Sequence, residues 1–349
     1  MKFPDKVGIA SLDDFAEIID VRSPAEFLDD HIPGAISAPV LSNDERATIG
    51  TLHKQASPFD AKKAGAALVS RNIAGHLETL FAGHGRDWRP LVYCWRGGKR
   101  SGAMAHVLRE IGWHAAALEG GYKAYRSHVL AQLAELPQRF AFRVVCGETG
   151  SAKSRLLEAL AAEGAQVLDL EQLASHKGSL LGGLPGKPQP AQRMFESMVW
   201  DKLRRFDPAR PVYVESESKK VGQVQVPDAL INAMRAADCV HIEAGLDARV
   251  QFLIGDYAHF LQDAASLKER LACLVELHGR EVIARWNTAI EAGDWPALVA
   301  DLLQNHYDPA YRKSMPKNYL RYGAALALRP PDLTPAGIRQ AAKSLLAVA

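Results

Sequence analysis

Residues 91–101 read Leu91-Val92-Tyr93-Cys94-Trp95-Arg96-Gly97-Gly98-Lys99-Arg100-Ser101 and decide how the first part of the chain folds. A short apolar run typical of a strand ends at a cysteine, a glycine-rich loop follows, and a helical pattern begins near Ser101. In this geometry, loop amides and a helix N-terminus point at one spot and favour an anion there. The cations should lower the pKa of Cys94 below the value of about 8.5 of a free thiol. We expect Cys94 to be a nucleophile inside an oxyanion loop. That loop consists of Trp95, Arg96, Gly97, Gly98, Lys99 and Arg100.

The composition is that of an ordinary globular protein. The chain has 349 residues, of which 48% are hydrophobic and 23% charged, and a net charge of +2, so we expect two domains. No apolar run approaches the roughly 20 residues that a membrane span needs, and the N-terminal residues do not form a secretory signal. We therefore expect a cytoplasmic location and no membrane partner. The balanced charge neither predicts nor excludes local basic patches that bind nucleic acid.

The four cysteines do not form a metal or disulfide pattern. Their spacings contain no CxxC pair and do not suggest a zinc site. Cys146 and Cys239 lie inside apolar runs, and Cys273 lies in a helical pattern. We expect these three to be small buried core residues, so that Cys94 alone has glycines and cations after it.

A series of residues upstream of Cys94 identifies the first domain. The series is Asp20-Val21-Arg22, then Glu26-Phe27, then His31-Ile32-Pro33-Gly34-Ala35. It resembles the rhodanese family, a small α/β domain with a loop cysteine, which here is Cys94. The resemblance implies that Asp20, Arg22 and Glu26 orient neighbouring loops through ion pairs and hydrogen bonds rather than through chemistry.

Two features depart from a small rhodanese domain. Residues 42–90 form an insertion, with helical patterns at 61–70 and 77–81, that either shapes a substrate pocket or is a solvated structural excursion. Five residues separate Cys94 from Arg100, whereas small sulfurtransferases usually have four. The longer spacing is also that of cysteine phosphatases and makes a wider loop. It therefore favours a phosphorus-centred oxyanion as the ligand.

A second phosphate loop follows the predicted strand at 140–146. Its sequence is Gly147-Glu148-Thr149-Gly150-Ser151-Ala152-Lys153-Ser154, and a helical pattern continues from residue 155. Strand, glycine loop, Lys-Ser and helix are the setting of a P-loop, in which Lys153 reaches the outer phosphates and Ser154 meets Mg²⁺ if it is bound. Ala152 occupies the position of the second glycine of the motif. The expected phosphate-binding residues are Gly147, Thr149, Gly150, Ser151, Lys153 and Ser154.

An acidic stretch follows the predicted strand at 211–215. Glu215 or Glu217 could hold a metal ion or its water, as the second acidic motif of P-loop proteins does, although aspartate is more usual. The alternative is that both glutamates are exposed and pair with Lys219 and Lys220. A metal site is therefore not certain from the sequence.

The C-terminal part is helical by pattern from 246 to 304, with a break at Asp294-Trp295-Pro296. After it, cations and aromatic residues alternate. Such a surface suits contact with RNA phosphates and stacking of bases, and the alternative is an ordinary solvated face. The residues concerned are Tyr307, Tyr311, Arg312, Lys313, Lys317, Tyr319 and Arg321.

Together these patterns predict an α/β protein with two domains. The first is a rhodanese-like domain at 1–130 with the insertion at about 42–90. The second, at 131–349, is a P-loop NTPase-like parallel-sheet domain with a helical C-terminal part. This ordered combination resembles the bacterial tRNA 2-selenouridine synthases in the segments 20–35, 50–55, 93–101, 147–154, 176–179, 214–219 and 306–311. Contacts to tRNA or substrate are expected from His176, Lys177, Lys219, Tyr307, Tyr311 and Arg312.

The resemblance implies two reactions on the tRNAs for Lys, Glu and Gln. The 2-thio group of the wobble uridine first attacks geranyl diphosphate, and selenium from selenophosphate then displaces the geranylthiol. The P-loop would hold the diphosphate, and Cys94 would take up selenium as a perselenide or assist its transfer. No tightly bound cofactor is expected, and the sequence leaves open whether Mg²⁺ accompanies the diphosphate. Selenophosphate synthetase would supply the selenium.

Three other functions fit the same residues. One is a rhodanese-type tRNA or small-molecule sulfurtransferase that uses a Cys94 persulfide and ATP at the P-loop. Another is a rhodanese-fold phosphatase joined to a kinase-like domain, although no acid for the leaving group is evident near Cys94. The third is a non-catalytic module that binds RNA or a nucleotide.

Overall fold

The computed structural model describes residues 3–348, apart from the side chain of residue 259. The chain divides into two units, each built around its own parallel sheet. One unit comprises the chain up to Gln132 together with Pro190–Asp201, and the other comprises Leu133–Gln189 and the chain from Lys202 onwards. Among the described residues, no helix has the length and apolar character needed to cross a membrane. The predicted α/β class is confirmed.

The first unit contains a five-stranded sheet in which every neighbouring pair is parallel. The strands are β1 (Lys6–Val7), β2 (Glu17–Asp20), β3 (Ile36–Ser37), β4 (Pro90–Tyr93) and β5 (Ala116–Leu118), in the order β1-β5-β4-β2-β3. All four residues of β4 are buried, as expected for the central strand of a sheet covered on both faces. The carboxyl end of β4 therefore delivers Cys94 to the middle of one sheet edge.

The helices of this unit cover the sheet and form the insertion. They are α1 (Pro24–Asp29), α2 (Asn43–Gln55), α3 (Pro58–Glu78), α4 (Lys99–Ile111) and α5 (Gly121–Glu135), and a 3₁₀ turn spans Ile9–Asp14. Ser42 and Ser57 cap α2 and α3 by accepting backbone N–H bonds. Helix α2 buries none of its residues, whereas α3 buries Ala61 and Ile73. The insertion is thus a helical pair, more regular than the sequence pattern predicts.

The second unit has a five-stranded sheet of its own, again wholly parallel. The strands of the unit are β6 (Phe142–Cys146), β7 (Gln166–Leu168), β8 (Val212–Glu215), β9 (Lys220–Val221), β10 (Val224–Gln225), β11 (Asp238–Ile242) and β12 (Leu326–Leu328). The sheet order is β12-β11-β6-β8-β7, and β9 and β10 form a separate antiparallel pair. Strand β6 is central, so the P-loop that follows it lies at the middle of the sheet edge.

Helices make up most of the rest of the chain. They are α6 (Lys153–Ala162), α7 (Leu170–Ala174), α8 (Gln192–Leu203), α9 (Asp228–Ala236), α10 (Leu246–Asp256), α11 (Ala258–Gln262), α12 (Ala264–Ala272), α13 (Val275–His278), α14 (Arg280–Ala292), α15 (Trp295–Leu302), α16 (Asp308–Asn318) and α17 (Pro335–Val348). A π-helical turn at Leu303–Tyr307 joins α15 to α16. The predicted break at 294–296 is confirmed, because Asp294 caps α15. Around the buried Trp286, the helices α11–α15 build a core separate from the sheet.

Helix α8 belongs mainly to the first unit, although its sequence neighbours belong to the second. Arg193 lies 2.9 Å from a carboxylate oxygen of Asp29, and Arg126 pairs with Glu196. The ring of Trp200 packs edge-on against Tyr125, with 5.6 Å between centroids. These contacts complete the first unit with a segment from the middle of the chain.

Candidate active-site loops

The Cys94 thiol lies at the floor of the first loop, with a solvent exposure of only 4%. The Ser101 hydroxyl donates a hydrogen bond to its sulfur at 3.2 Å. Burial raises the pKa of Cys94, but this hydroxyl, the backbone amides of Ser101 and Gly98, and the charge of Arg100 together hold it below its ordinary value. The predicted direction is confirmed, and the hydrogen bonds contribute more than the nearby positive charge does.

Glycines let the loop pack directly on the turn that begins α5. Gly97 and Gly121 have φ values of +62° and +56°, in the left-handed region that disfavours side chains. A Cβ atom on Gly121 would lie 2.2 Å from the carbonyl oxygen of Cys94. Backbone N–H groups of Tyr122 and Lys123 donate to the carbonyls of Cys94 and Trp95 at 2.8 and 2.9 Å. The loop conformation is therefore fixed by its backbone.

The three cations of the loop fall into two classes. Arg100 is bound by Glu26, whose carboxylate lies 3.1 Å from a guanidinium nitrogen. Arg96 and Lys99 are exposed, and neither makes an ion pair with any residue in the described part of the chain. An incoming anion would therefore meet Arg96 and Lys99, while Arg100 mainly ties the loop to α1.

The structural role predicted for Asp20 and Arg22 is confirmed. Their side chains form a fully buried ion pair, with an N–O distance of 2.6 Å. The Arg22 guanidinium also lies 4.0 Å from the ring centre of Tyr122, and the Tyr122 hydroxyl donates to Asp30 at 2.8 Å. This network positions the turn against which the Cys94 loop packs.

The second loop has the predicted arrangement of strand, glycine loop and helix. The Lys153 ammonium donates to the carbonyl of Gly147 at 2.7 Å, and the Ser154 hydroxyl donates to Glu171 at 2.9 Å. Ala152 has φ +62° and ψ +33°, so the position usually held by glycine keeps its left-handed conformation despite the methyl group. The groups expected to bind phosphate are already engaged within the protein.

The C-terminal segment braces the P-loop from outside. Arg249 of α10 forms a buried bidentate ion pair with Asp308, with both N–O distances 2.8 Å, and also donates to the carbonyl of Thr149. The amide of Gly147 donates to the Tyr311 hydroxyl at 2.6 Å. Arg312 lies 2.8 Å from the carboxylate of Glu148. Residues 308–312 thus hold the P-loop.

The expected stacking surface on α16 is wrong in one respect. Tyr319 is 3% exposed, and its hydroxyl donates to the carbonyl of Glu217, so its ring is not open to a base. Arg321 is paired with Asp238 at 2.7 Å. Lys313 and Lys317 remain exposed. The alternation of cations and aromatic residues thus reflects a helix with one face on the P-loop and one in solvent.

Glu215 and Glu217 are buried, which excludes the alternative that they are exposed partners of lysines. Glu215 accepts the backbone N–H of Glu171 at 2.7 Å, and Lys219 pairs instead with Asp228. Burial, and next the charge of Glu171, raises the pKa of Glu217 to about 8, and burial raises the pKa of Glu215 as well. Within residues 3–348, no three His, Cys, Asp or Glu side chains are arranged to hold a metal ion.

A cleft of about 830 Å³ opens above the P-loop. Its walls include Lys153, Ser154, His176, Lys177 and Tyr311. Lys177 lies 2.5 Å from a carboxylate oxygen of Asp256 and 4.3 Å from the ring centre of Tyr257. Burial lowers the pKa of His176. Four of the six predicted contact residues therefore gather in one cleft, whereas Lys219 and Arg312 do not line it.

An apolar pocket adjoins this cleft. It lies among α10, α11, α12 and α15, and its lining includes Leu267, Trp295, Leu298 and Leu302. The cleft and the pocket share the residues Thr149, Ser179, Leu253, Tyr257 and Tyr307. The apolar pocket encloses about 70 Å³, so the shared boundary suits the beginning of an apolar tail attached to an anionic head.

The remaining cysteines differ in environment. Cys146 and Cys239 are buried, as predicted, and lie in the strands β6 and β11. Cys273 is exposed at the end of α12, so the expectation that it is buried is wrong. The sequence pattern also missed Ser101, Glu171, Arg249 and Asp308, whose roles depend on contacts between distant segments. Only the serine had a local signal, because it lies in the first turn of the helix after the loop.

Comparisons with known proteins agree with both halves of this description. A family model described as the tRNA 2-selenouridine synthase AAA domain matches residues 140–276, and a rhodanese-like domain model matches residues 8–128. The tRNA 2-selenouridine synthase of Bdellovibrio bacteriovorus is 30% identical over 346 residues, which cover 87% of this chain and 90% of that protein. The tRNA 2-selenouridine synthase of Hydrogenovibrio crunogenus is 30% identical over 330 residues, which cover 86% of this chain and 89% of that protein.

The coverage is lower for other relatives. The tRNA 2-selenouridine synthase of Nitrosomonas europaea is 34% identical over 244 residues, which cover 69% of this chain. The match spans 63% of that protein, so slightly less than two thirds of its length is represented here. The predicted order, a rhodanese-like domain followed by a P-loop domain, is confirmed by the two family matches.

Proposed function

We propose that this chain, which belongs to the tRNA 2-selenouridine synthase family, converts wobble 2-thiouridine in tRNA to 2-selenouridine through an S-geranylated intermediate. In the first step the 2-thio sulfur attacks C1 of geranyl diphosphate. A C–S bond forms, the bond to the diphosphate oxygen breaks, and the uridine loses its N3 proton. In the second step the selenium of selenophosphate attacks C2, the C2–S bond breaks and geranylthiol leaves. Water then cleaves the P–Se bond, which leaves selenium on the uridine and releases phosphate.

The observation that carries the proposal is the continuity between the P-loop cleft and the apolar pocket. A diphosphate head on Thr149 and Lys153 leaves its hydrocarbon tail beside Leu253, from where the pocket continues toward Leu298. A nucleotide would place a polar base and ribose in that direction, which apolar walls do not favour. The pocket therefore supports a prenyl diphosphate over ATP.

The P-loop residues stabilise the leaving diphosphate in this proposal. Lys153 exchanges its bond to the Gly147 carbonyl for the diphosphate, whose negative charge grows as the C–O bond breaks. Mg²⁺ fits beside Ser154 and Glu171, because Mg²⁺ on a diphosphate needs only one or two protein oxygens. Bound there, it would neutralise part of the diphosphate charge.

The Cys94 loop serves the selenium step in this proposal. Arg96 and Lys99 attract the selenophosphate oxyanion, and the amides of Gly98 and Ser101 stabilise negative charge at the sulfur. Cys94 assists the transfer of selenium from phosphorus to C2 of the uridine, and the phosphorus group leaves as phosphate when water cleaves the P–Se bond. The supplier is selenophosphate synthetase, the substrates are the tRNAs for Lys, Glu and Gln, and the reaction takes place in the cytoplasm.

The test is mass spectrometry of nucleosides from tRNA treated with the purified protein. The tRNA carries 2-thiouridine and is incubated with geranyl diphosphate, with selenophosphate or with both. The substituent at the 2-position of the wobble uridine is then identified. We expect the S-geranyl nucleoside with the first reagent alone and 2-selenouridine with both. Thiosulfate-dependent sulfur transfer without either product would instead favour the sulfurtransferase.

Two variants assign the steps to the loops. Cys94→Ser should lose selenation and keep geranylation, while Cys273→Ser, which removes an exposed cysteine, serves as its control. Lys153→Ala should lose geranylation and keep selenation of tRNA that is already geranylated. Lys343→Ala, on the exposed face of α17, is the matched control. If Lys153→Ala abolished selenation alone, the assignment of the two anions would be reversed.

A further inference from the structure

Trp95 directly follows the nucleophile and is held in an unusual position. Cys94 is 4% exposed, whereas Trp95 is 37% exposed. The indole lies on the ring of Tyr122, with 5.2 Å between centroids and an interplanar angle of 32°. Tyr122 is itself fixed by the Arg22 guanidinium and by its hydrogen bond to Asp30. A half-exposed aromatic ring therefore rests on an immobile support beside the reactive sulfur.

The loop does not need this ring for its conformation. The backbone carbonyl of Trp95 accepts the Lys123 amide, and the packing of Gly97 on the Leu118 carbonyl fixes the following turn. Among the described residues, none accepts a hydrogen bond from the Trp95 indole N–H. A tryptophan that only filled space would bury its apolar area, which is worth about 25 cal/mol per Å². Exposing it next to the thiol leaves a face for a ligand.

The charges around the ring identify the kind of ligand. Arg96 and Lys99 are exposed and make no ion pair within residues 3–348, whereas Arg100 is bound to Glu26. An open aromatic face flanked by free cations is the combination that binds single-stranded nucleotides, with the base on the ring and phosphates on the cations. An inorganic anion alone would use the cations and leave the ring unexplained.

We propose that Trp95 stacks on the wobble base of the tRNA and presents its C2 atom to Cys94 during the selenium step. This role rests on the proposed function, since it assumes that the base enters the Cys94 loop. Trp95 exchanges no proton or electron in this role. It orients the pyrimidine ring, and its contact is lost when the side chain is shortened and kept when another aromatic ring replaces it.

The test measures binding of a labelled RNA anticodon stem–loop, with and without the base at the wobble position. Removing the base should weaken binding to the wild-type protein roughly 10-fold, the scale of one base–aromatic stack. The Trp95→Ala protein should bind both RNAs with the same, weaker affinity, and Trp95→Phe should regain most of the discrimination. Phe59→Ala removes an exposed aromatic ring elsewhere in the same unit and should discriminate like the wild type.

Two further measurements separate stacking from damage to the loop. The rate at which iodoacetamide alkylates Cys94 should be the same in Trp95→Ala and wild type, and KM for geranylated stem–loop should rise with a smaller change in kcat. The proposal is overturned if removal of the wobble base weakens RNA binding by the same factor in the wild type and in Trp95→Ala. It is also overturned if Trp95→Phe fails to restore binding. Absence of 2-selenouridine with the wild-type protein would refute the proposed function, while the base-dependent binding would still decide the stacking.

Discussion

The Cys94 loop and the P-loop have the same local structure, a buried parallel strand followed by a glycine-rich turn and a helix. They differ in whether their polar side chains are bonded to other groups of the protein. In the first loop, Arg96 and Lys99 make no ion pair with any residue that the structure describes, and the thiol already receives its hydrogen bonds. In the second, Lys153 and Ser154 are bound to Gly147 and Glu171. The first site is preformed for an anion, whereas the second must exchange internal contacts for its ligand.

The two loops also differ in what fixes their backbone. The Cys94 loop packs on a neighbouring glycine turn, main chain against main chain. The P-loop is held by side chains of α10 and α16, above all the ion pair between Arg249 and Asp308. A loop fixed by backbone packing tolerates no added atom, and a loop fixed by side chains fails when one partner is removed. Each of the predictions below tests one side of this difference.

Arg249→Met should have the largest effect on stability. It leaves Asp308 buried without its partner, which costs about 3–5 kcal/mol, and it frees the Thr149 carbonyl that orients the P-loop. Thermal or urea unfolding measures the loss. Arg285→Met removes an exposed ion pair and should cost at most about 1 kcal/mol. Equal losses in the two variants would contradict the bracing role.

Gly121→Ala should disrupt the other loop. The new methyl group would overlap the Cys94 carbonyl and require a positive φ, at a cost of about 2–4 kcal/mol. The loss should appear in unfolding experiments and in a slower alkylation of Cys94 near neutral pH. Gly102→Ala, in α4, is the control, because nothing lies within 4 Å of the atom it adds. A normal Cys94 reactivity in Gly121→Ala would show that the loop adapts.

Glu217 makes stability of the second unit depend on pH. Its carboxyl and that of Glu171 both approach the same point beside Gly178, and burial followed by the charge of Glu171 raises its pKa from 4.5 to about 8. The folded chain keeps a proton that the unfolded chain releases in this interval. Stability is therefore full below pH 4.5 and is lost as the pH rises through 8, by at most about 1.4 kcal/mol per pH unit.

Glu217→Gln tests this dependence, because the amide has no proton to release. Urea unfolding at a series of pH values between 5 and 8 should show a flatter profile for the variant than for the wild type. Glu276→Gln, on the short helix α13, is a control at an exposed glutamate. Parallel profiles for Glu217→Gln and wild type would mean that this carboxyl does not carry the extra proton.

Ser101→Ala tests the source of the low Cys94 pKa and should have a moderate effect. The sulfur loses a hydroxyl donor at 3.2 Å, so its pKa should rise toward the ordinary value. Because such a bond is worth about 1 kcal/mol, alkylation at neutral pH should slow severalfold, while the rate at high pH is unchanged. Ser127→Ala, at an exposed position of α5, should leave the profile unaltered.

Ala152→Gly should have the smallest effect and sharpens the comparison of the loops. Gly97 in the Cys94 loop has the same φ of +62°, but a Cβ there would lie 2.5 Å from the Leu118 carbonyl. Ala152→Gly relieves left-handed strain of about 1–2 kcal/mol, and the lost buried methyl group and greater chain entropy offset most of it. The free energy of unfolding should change by under about 1 kcal/mol, whereas Gly97→Ala should be strongly destabilising.

Much of the fold and of both loops follows from local patterns. Apolar runs before Cys94 and Gly147, glycines after them and helical periodicity beyond predict two strand–loop–helix units without knowledge of distant contacts. Strand β12 was missed because three residues near the end of the chain become a strand only through pairing with β11. The roles of Arg249 and Asp308 were missed for the same reason, since 59 residues separate the two partners of the ion pair.

Tyr311 and Tyr319 show how a local pattern can mislead. Their alternation with cations is typical of an RNA surface, yet one hydroxyl accepts the Gly147 amide and the other donates to the Glu217 carbonyl. The sequence does not distinguish a tyrosine whose hydroxyl binds the backbone from a tyrosine whose ring stacks on a base. Only the direction of the side chain separates them, and that direction is set by the tertiary fold.

The membership of α8 in the first unit has a consequence for synthesis on the ribosome. Asp29, Tyr125 and Arg126 are translated long before their partners on α8, which follow β6, the P-loop and β7 in the chain. The first unit therefore cannot complete its packing when its own 132 residues have emerged, and it waits for about 70 more, several seconds at ordinary elongation rates. During that interval the strand and loop of the second unit are already outside. The first unit is thus completed only after part of the second has been synthesised, while the second still lacks its strands β8, β11 and β12.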